Sequence, residues 1–139
     1  MSQLLDDQLL GRVLRGGDPP RPGADIYTTG YWYARLCQAV LSASERAGVL
    51  CGPFASLPDD ARARAIEGLL ELPASIGLLS LRDLGPLIGQ LRARHHLNVL
   101  AMEVLAAASR LDAEVFLSAP SPRLRDALQA EGRTATVIG

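Results

Sequence analysis

Three carboxylates stand in contexts where a charge must be doing something specific. Asp6 and Asp7 follow a short apolar run and precede a helical pattern, so they occupy a strand-to-helix junction. An acid at such a junction accepts hydrogen bonds from the unpaired N–H groups of the first helical turn. Asp6 or Asp7 is therefore expected to cap the helix, with Asp7 otherwise solvated. Glu103 is the sole charge in Val99–Ala108, a stretch apolar on every other side. An unpaired buried carboxylate is costly, so Glu103 needs Arg35, Arg82, water, or a cleft to face.

Tyr27, Tyr31, Trp32 and Tyr33 make up four of the six aromatic residues and lie beside Arg35. Aromatic rings next to arginine can stack on unpaired bases; the simpler expectation is Trp32 in the core with tyrosine hydroxyls at its rim. His95 and His96 lack a nearby third metal ligand and read as surface or hydrogen-bonding residues. Cys37 and Cys51 sit among apolar neighbours and make neither a disulfide framework nor a zinc site. There is no P-loop, dinucleotide-binding glycine signature or nucleophile elbow. Gly16-Gly17 precedes no helix and is not a phosphate cradle.

The elements that position these groups follow from periodicity. Short strands are expected at Gln3–Asp6, Ile26–Thr28, Ile76–Leu81, Ala113–Ser118 and Thr134–Ile138. Between them run helices. The first carries Leu9, Leu10, Val13 and Leu14 on one face and ends at Gly16-Gly17. The second starts at a Thr29 cap, carries Trp32, Leu36 and Val40, and ends at Gly48. After a Phe54–Pro58 connection, Asp59–Leu72 is amphipathic, with Ile66, Leu69 and Leu70 inward and Arg62, Arg64, Glu67 and Glu71 outward. Asp83 is expected to cap the next helix, which places Pro86 in a first turn where it is tolerated. Asn98 caps the Val99–Ala108 helix. Ser121 caps the last, with Pro122 at its first position and Gly132 closing it. Gly16–Asp25 is a loop. Strands alternating with helices give one α/β domain, a three-layer α/β/α sandwich around a mostly parallel five-stranded sheet. Ligands in such sheets bind at the carboxyl ends of the strands. Those ends carry Asp6, Asp7, Thr28, Thr29, Arg82, Asp83 and Ser118, and the Glu103 helix could face the same edge.

At 139 residues and 48% hydrophobic, the chain is long enough for a real core. Its net charge of −1 makes no electrostatic case for nucleic acid. No apolar run approaches the ~20 residues of a membrane span, and the acidic, amphipathic start MSQLLDDQLL is unlike a signal peptide. A cytoplasmic protein is expected, with no membrane partner.

The order of elements resembles the PIN domain, the fold of toxin ribonucleases in bacterial toxin–antitoxin pairs. Leu5-Asp6-Asp7-Gln8-Leu9-Leu10 is similar to that family's opening, a strand ending in Asp before an apolar helix. The stretch LLSLRDLGPLIGQLRARHHLNVLAMEVLAAASRLDAEVFLSAPSPRL is similar to the rest, with Ser118 as the strand-end hydroxyl. The resemblance implies Mg²⁺ or Mn²⁺ held by three or four carboxylates that activate water for RNA cleavage. Here Asp6 matches the first acid. The second falls in YWYARL, with Arg35 or a neighbour at its place. The third aligns with Ala101 or Met102, leaving Glu103 rotated by roughly 100–200° around the helix. The fourth aligns with Pro120.

What this implies is a degenerate PIN-like domain acting as a binding or interaction module, without a cofactor, whose partner is a second copy or another protein. The alternative is a divergent Mg²⁺- or Mn²⁺-dependent ribonuclease with Asp6 and Glu103 as catalytic residues, Asp6 as metal ligand, and Arg35 and Ser118 contacting RNA. Asp6 and Glu103 within about 5 Å of each other across an open cleft would favour the alternative. A deep apolar pocket beside Trp32 would favour a small-molecule module instead.

Overall fold

Ser2–Leu5 forms β1, the middle strand of a five-stranded sheet. The computed structural model describes residues 1–43, 60, 64, 66–68 and 71–139. Asp25–Thr29 (β2), Ile76–Leu79 (β3), Glu114–Leu117 (β4) and Ala135–Val137 (β5) complete the sheet in the order β3-β2-β1-β4-β5. Every neighbouring pair is parallel. The helices whose full bounds are described are α1 (Asp7–Leu14), α2 (Gly30–Ala43), α3 (Leu81–Arg92), α4 (Val99–Leu111) and α5 (Pro122–Ala130); residues 60, 64 and 66–68 are helical too, and helices and sheet build an α/β/α sandwich.

Side chains alternate across a strand, so a sheet covered on both faces feeds two cores. Leu4, Val115 and Leu117 join residues of α3, α4 and α5 in the one that is larger among the described residues. Leu5 and Phe116 meet Leu9 on the other face, where Leu10, Leu36, Val40 and Ile76 also cluster. Trp32 crosses this division: it starts in α2 yet packs with the α3–α4–α5 cluster, because the first turn of α2 overhangs the carboxyl edge of the sheet. Helix α4 is the expected central one, with every residue from Met102 to Ala108 buried. It is exposed only towards its two ends, at Val99 and Arg110.

Local chemistry explains most element boundaries. Asp6, not Asp7, caps α1 by accepting from the Leu9 N–H at 3.0 Å. Thr29 caps α2 through its hydroxyl, which accepts from Trp32 N at 3.1 Å, and Asn98 caps α4 by accepting from Ala101 N at 2.8 Å. Gly132, at φ +75°, closes α5 as expected, with Arg133 N donating back to Leu128 O at 2.7 Å. Gly77 is required by its cross-strand partner: a Cβ there would lie 2.4 Å from the ring of Tyr27.

Two expectations are corrected. Helix α3 is capped by Ser80, whose side chain accepts from Arg82 N, not by Asp83. A serine hydroxyl after a strand competes for the same first-turn N–H groups, so the helix starts at Leu81, Asp83 sits in its first turn, and Pro86 lies inside it. Ser121 occupies the N-cap position of α5 but makes no side-chain cap bond. Ile66 packs against the Leu10–Leu36 cluster as expected, joined by Leu72, and Arg64 and Glu67 are exposed. Gly48, the Phe54–Pro58 connection, Cys51, Arg62, Leu69 and Leu70 lie outside the described residues.

Gln3, which no sequence pattern singled out beyond its strand, is fully buried. Its amide donates to Arg21 O and Ala24 O at 2.8 and 3.1 Å and accepts from Arg21 N at 3.0 Å. That fixes the loop before β2 to the middle of the sheet.

Candidate ligand-binding cleft

In a sheet ordered β3-β2-β1-β4-β5, the chain runs outward from β1 to β3 and then returns to place β4 on the other side of β1. Crossovers on either side of that junction lie on opposite faces, which opens a crevice above the carboxyl ends of the two strands. A cleft of about 270 Å³ lies there. Asp6, Asp7 and Gln8 border it after β1, and Leu117 at the end of β4 with Ser118 and Ala119 beyond it. Trp32 and Arg35 of α2, the α4 entry at Asn98, Leu100 and Ala101, and the α5 entry at Ser121 and Leu124 close the rest.

Asp6 joins the two strand ends. Besides the Leu9 N–H on Oδ1, its Oδ2 accepts both the Ser118 N–H and the Ser118 hydroxyl at 2.6 Å. Both oxygens are thus committed to charge-assisted bonds, which are short and strong. Asp7 is equally buried, at 6% exposure, but poorly served. Its Oδ1 accepts from the adjacent Gln8 N–H at 3.0 Å, and its Oδ2 lies 3.5 Å from Nε of Arg35, whose side chain is half in water. Burial pushes the Asp7 carboxyl above its ordinary value; Arg35 opposes the rise and the charge on Asp6 adds to it.

Glu103 is 1% exposed and has a partner that sequence reasoning did not consider. Neither Arg35 nor Arg82 pairs with it among the described residues; its Oε1 accepts from the Tyr31 N–H at 3.1 Å. It is a second cap on α2, with a negative charge at the positive end of that helix. Oε2 is buried with no hydrogen-bond partner among the described residues, 3.8 Å from where a Cβ on Gly30 would stand. Glu103 does not border the cleft.

The cleft therefore gathers Asp6, Asp7, Arg35 and Ser118 and leaves Glu103 apart. Asp83 borders a separate depression with Pro86 and Arg110. His95 bonds to Glu131 through Nε2 at 2.8 Å, a hydrogen-bonding role as expected.

No protein-family model matches the chain, and no curated protein matches it in sequence. The chemistry of the cleft is thus read from its own residues. A hard divalent cation takes several oxygen ligands. Asp6 gives three of its roughly four acceptor positions to the protein, Glu103 is turned to α2, and no group of three His, Cys, Asp or Glu side chains converges among the described residues. The described residues at this cleft do not fit Mg²⁺ or Mn²⁺.

Sequence reasoning missed much of this wall. Gln8, Leu100 and Leu124 carried no functional mark. The usable sign was positional: each lies in the first turn of a helix that begins at the carboxyl edge, near the strand-order reversal.

Proposed function

We propose that this protein is a degenerate PIN-like domain working as a binding module, with its ligand in the cleft between the ends of β1 and β4. The observation that carries this reading is the commitment of both Asp6 oxygens to Leu9 and Ser118. The acid that best matches the nuclease pattern is used as a structural clasp. We place the module in the bacterial cytoplasm, as a dimer or bound to another protein. Exposed Leu78, Leu81 and Val99 are the apolar side chains such a contact would cover.

One observation favours a second reading, the toxin-type ribonuclease that uses Asp6 and Glu103 on RNA with Mg²⁺ or Mn²⁺. The buried Oε2 of Glu103 retains unused acceptor capacity. Calorimetric titration of Mg²⁺ and Mn²⁺ into wild type and Asp6→Asn separates the two. The module reading expects no saturable binding at millimolar metal and no RNA cleavage. Micromolar binding that disappears in a folded Asp6→Asn variant would overturn it.

A further inference from the structure

The cleft has one apolar wall and one carboxylate that the protein leaves short of donors. Trp32, Leu100, Val104, Leu117 and Leu124 form the wall, and four of them, Trp32, Val104, Leu117 and Leu124, are themselves buried core residues, so the wall is rigid. At about 270 Å³ the space lies just under the ~300–1,000 Å³ usual for small-molecule sites. An ionised carboxylate offers about four acceptor positions. Asp6 receives three bonds from the protein at 2.6–3.0 Å. Asp7 receives one from its own neighbour and a loose 3.5 Å approach from Arg35. Its remaining lone pairs are mostly out of water, where a charge-assisted bond is worth most.

The sign of the ligand follows from what surrounds it. The charged side chains bordering the cleft are Asp6, Asp7 and Arg35, a net of one negative charge. The single arginine already leans on Asp7. Two helix N-termini also reach the cleft, α4 with Asn98 accepting from Ala101 N and α5 without a side-chain cap, but their partial positive charge is weaker than two full carboxylates. An anion would face two carboxylates; an ammonium would supply the donors that Asp7 lacks. We propose that the cleft binds a small amphipathic cation, a primary ammonium on a compact apolar body, with the ammonium on Asp7 and the body against Trp32. This rests on the reading of the chain as a binding module and names the class of its ligand.

Trp32 is the only tryptophan in the chain, so its emission, excited where benzyl rings do not absorb, reports occupancy directly. The probes are phenethylammonium, the neutral phenethyl alcohol and the anionic 3-phenylpropanoate, which share one apolar body. The expected result is saturable change with phenethylammonium at least about tenfold tighter than with the alcohol, and weaker still with the carboxylate. Asp7→Asn, checked by circular dichroism, is expected to remove the preference for the cation and leave the alcohol unchanged. Ala101→Leu, which narrows the cleft without touching a charge, is expected to weaken all three probes. If Asp7→Asn does not fold, the charge series on wild type and the Ala101→Leu variant still decide. Equal affinities, a preference for the carboxylate, no response to any probe, or indifference to Ala101→Leu would each overturn the inference. None of these outcomes touches the metal titration, on which the module reading stands separately.

Discussion

Asp6 shows how far one side chain can be stretched between roles. The same carboxylate ends a strand, caps a helix and clasps a second strand, so its truncation removes three bonds at once. Loss of an N-cap alone costs about 0.5–2 kcal/mol, and bonds to a charged group add roughly 1.5–3 kcal/mol. Asp6→Ala is expected to destabilise the fold by about 2–4 kcal/mol in urea unfolding. Ser118→Ala, which deletes only the hydroxyl, should cost about 1–2 kcal/mol. Equal losses would show that the cap and the Ser118 N–H bond add nothing beyond the hydroxyl bond. The junction was legible in the sequence because aspartate after an apolar run before a helical pattern has few other uses. The bond to Ser118 was not, because its partner stands 112 positions away and no local pattern reports such a distance. Glu103 was marked for the right reason, a lone charge in an apolar helix, but its partner is a backbone N–H, and backbone donors leave no trace in residue identity.

At the scale of elements, helix ends set the arrangement, and one end is held by charge. Glu131, the residue after α5, receives Arg94 at 2.9 Å and His95 at 2.8 Å, both from the stretch that leaves α3. The hydrogen bonds from Arg94 and His95 hold its carboxyl at about 2, against an ordinary 4.5. A depressed carboxyl stabilises the fold while ionised, so the contribution is complete above pH 4.5 and is lost as the pH falls from there to about 2. Wild type is expected to exceed Glu131→Gln in stability at neutral pH, with the gap closing through that acid window. A gap of constant size across a pH series of urea titrations would remove the pair from the account. Boundaries were read well where a single residue type decides them, as at Thr29, Asn98 and Gly132. They were read badly where two candidates stood close together. Ser80 and Asp83 both suit a cap, and only the length of β3 decides between them.

For the molecule as a whole, the sheet has two faces and α4 lies at the centre of one of them. Leu105 is fully buried there, and Leu105→Ala is expected to cost roughly 2–5 kcal/mol. A loss under about 1 kcal/mol in thermal or urea unfolding would mean that the core is placed wrongly. The sandwich itself was legible because strands and helices alternate with distinct periods; that every strand runs parallel follows from each pair being joined through helices. The cleft was not legible as a volume, because its walls come from five separate stretches of chain. The position of β1 has a consequence for synthesis. Of the described strands of this sheet, the first in the chain is the one that ends up in the middle, and β4, which covers its second edge, is the fourth. Until Glu114–Leu117 emerges, β1 presents a row of bare N–H and C=O groups, and Leu4 has neither α4 nor β4 to lie against. Open strand edges of this kind recruit other chains. A nascent chain stalled before residue 114 is therefore the form of this protein most in need of a chaperone.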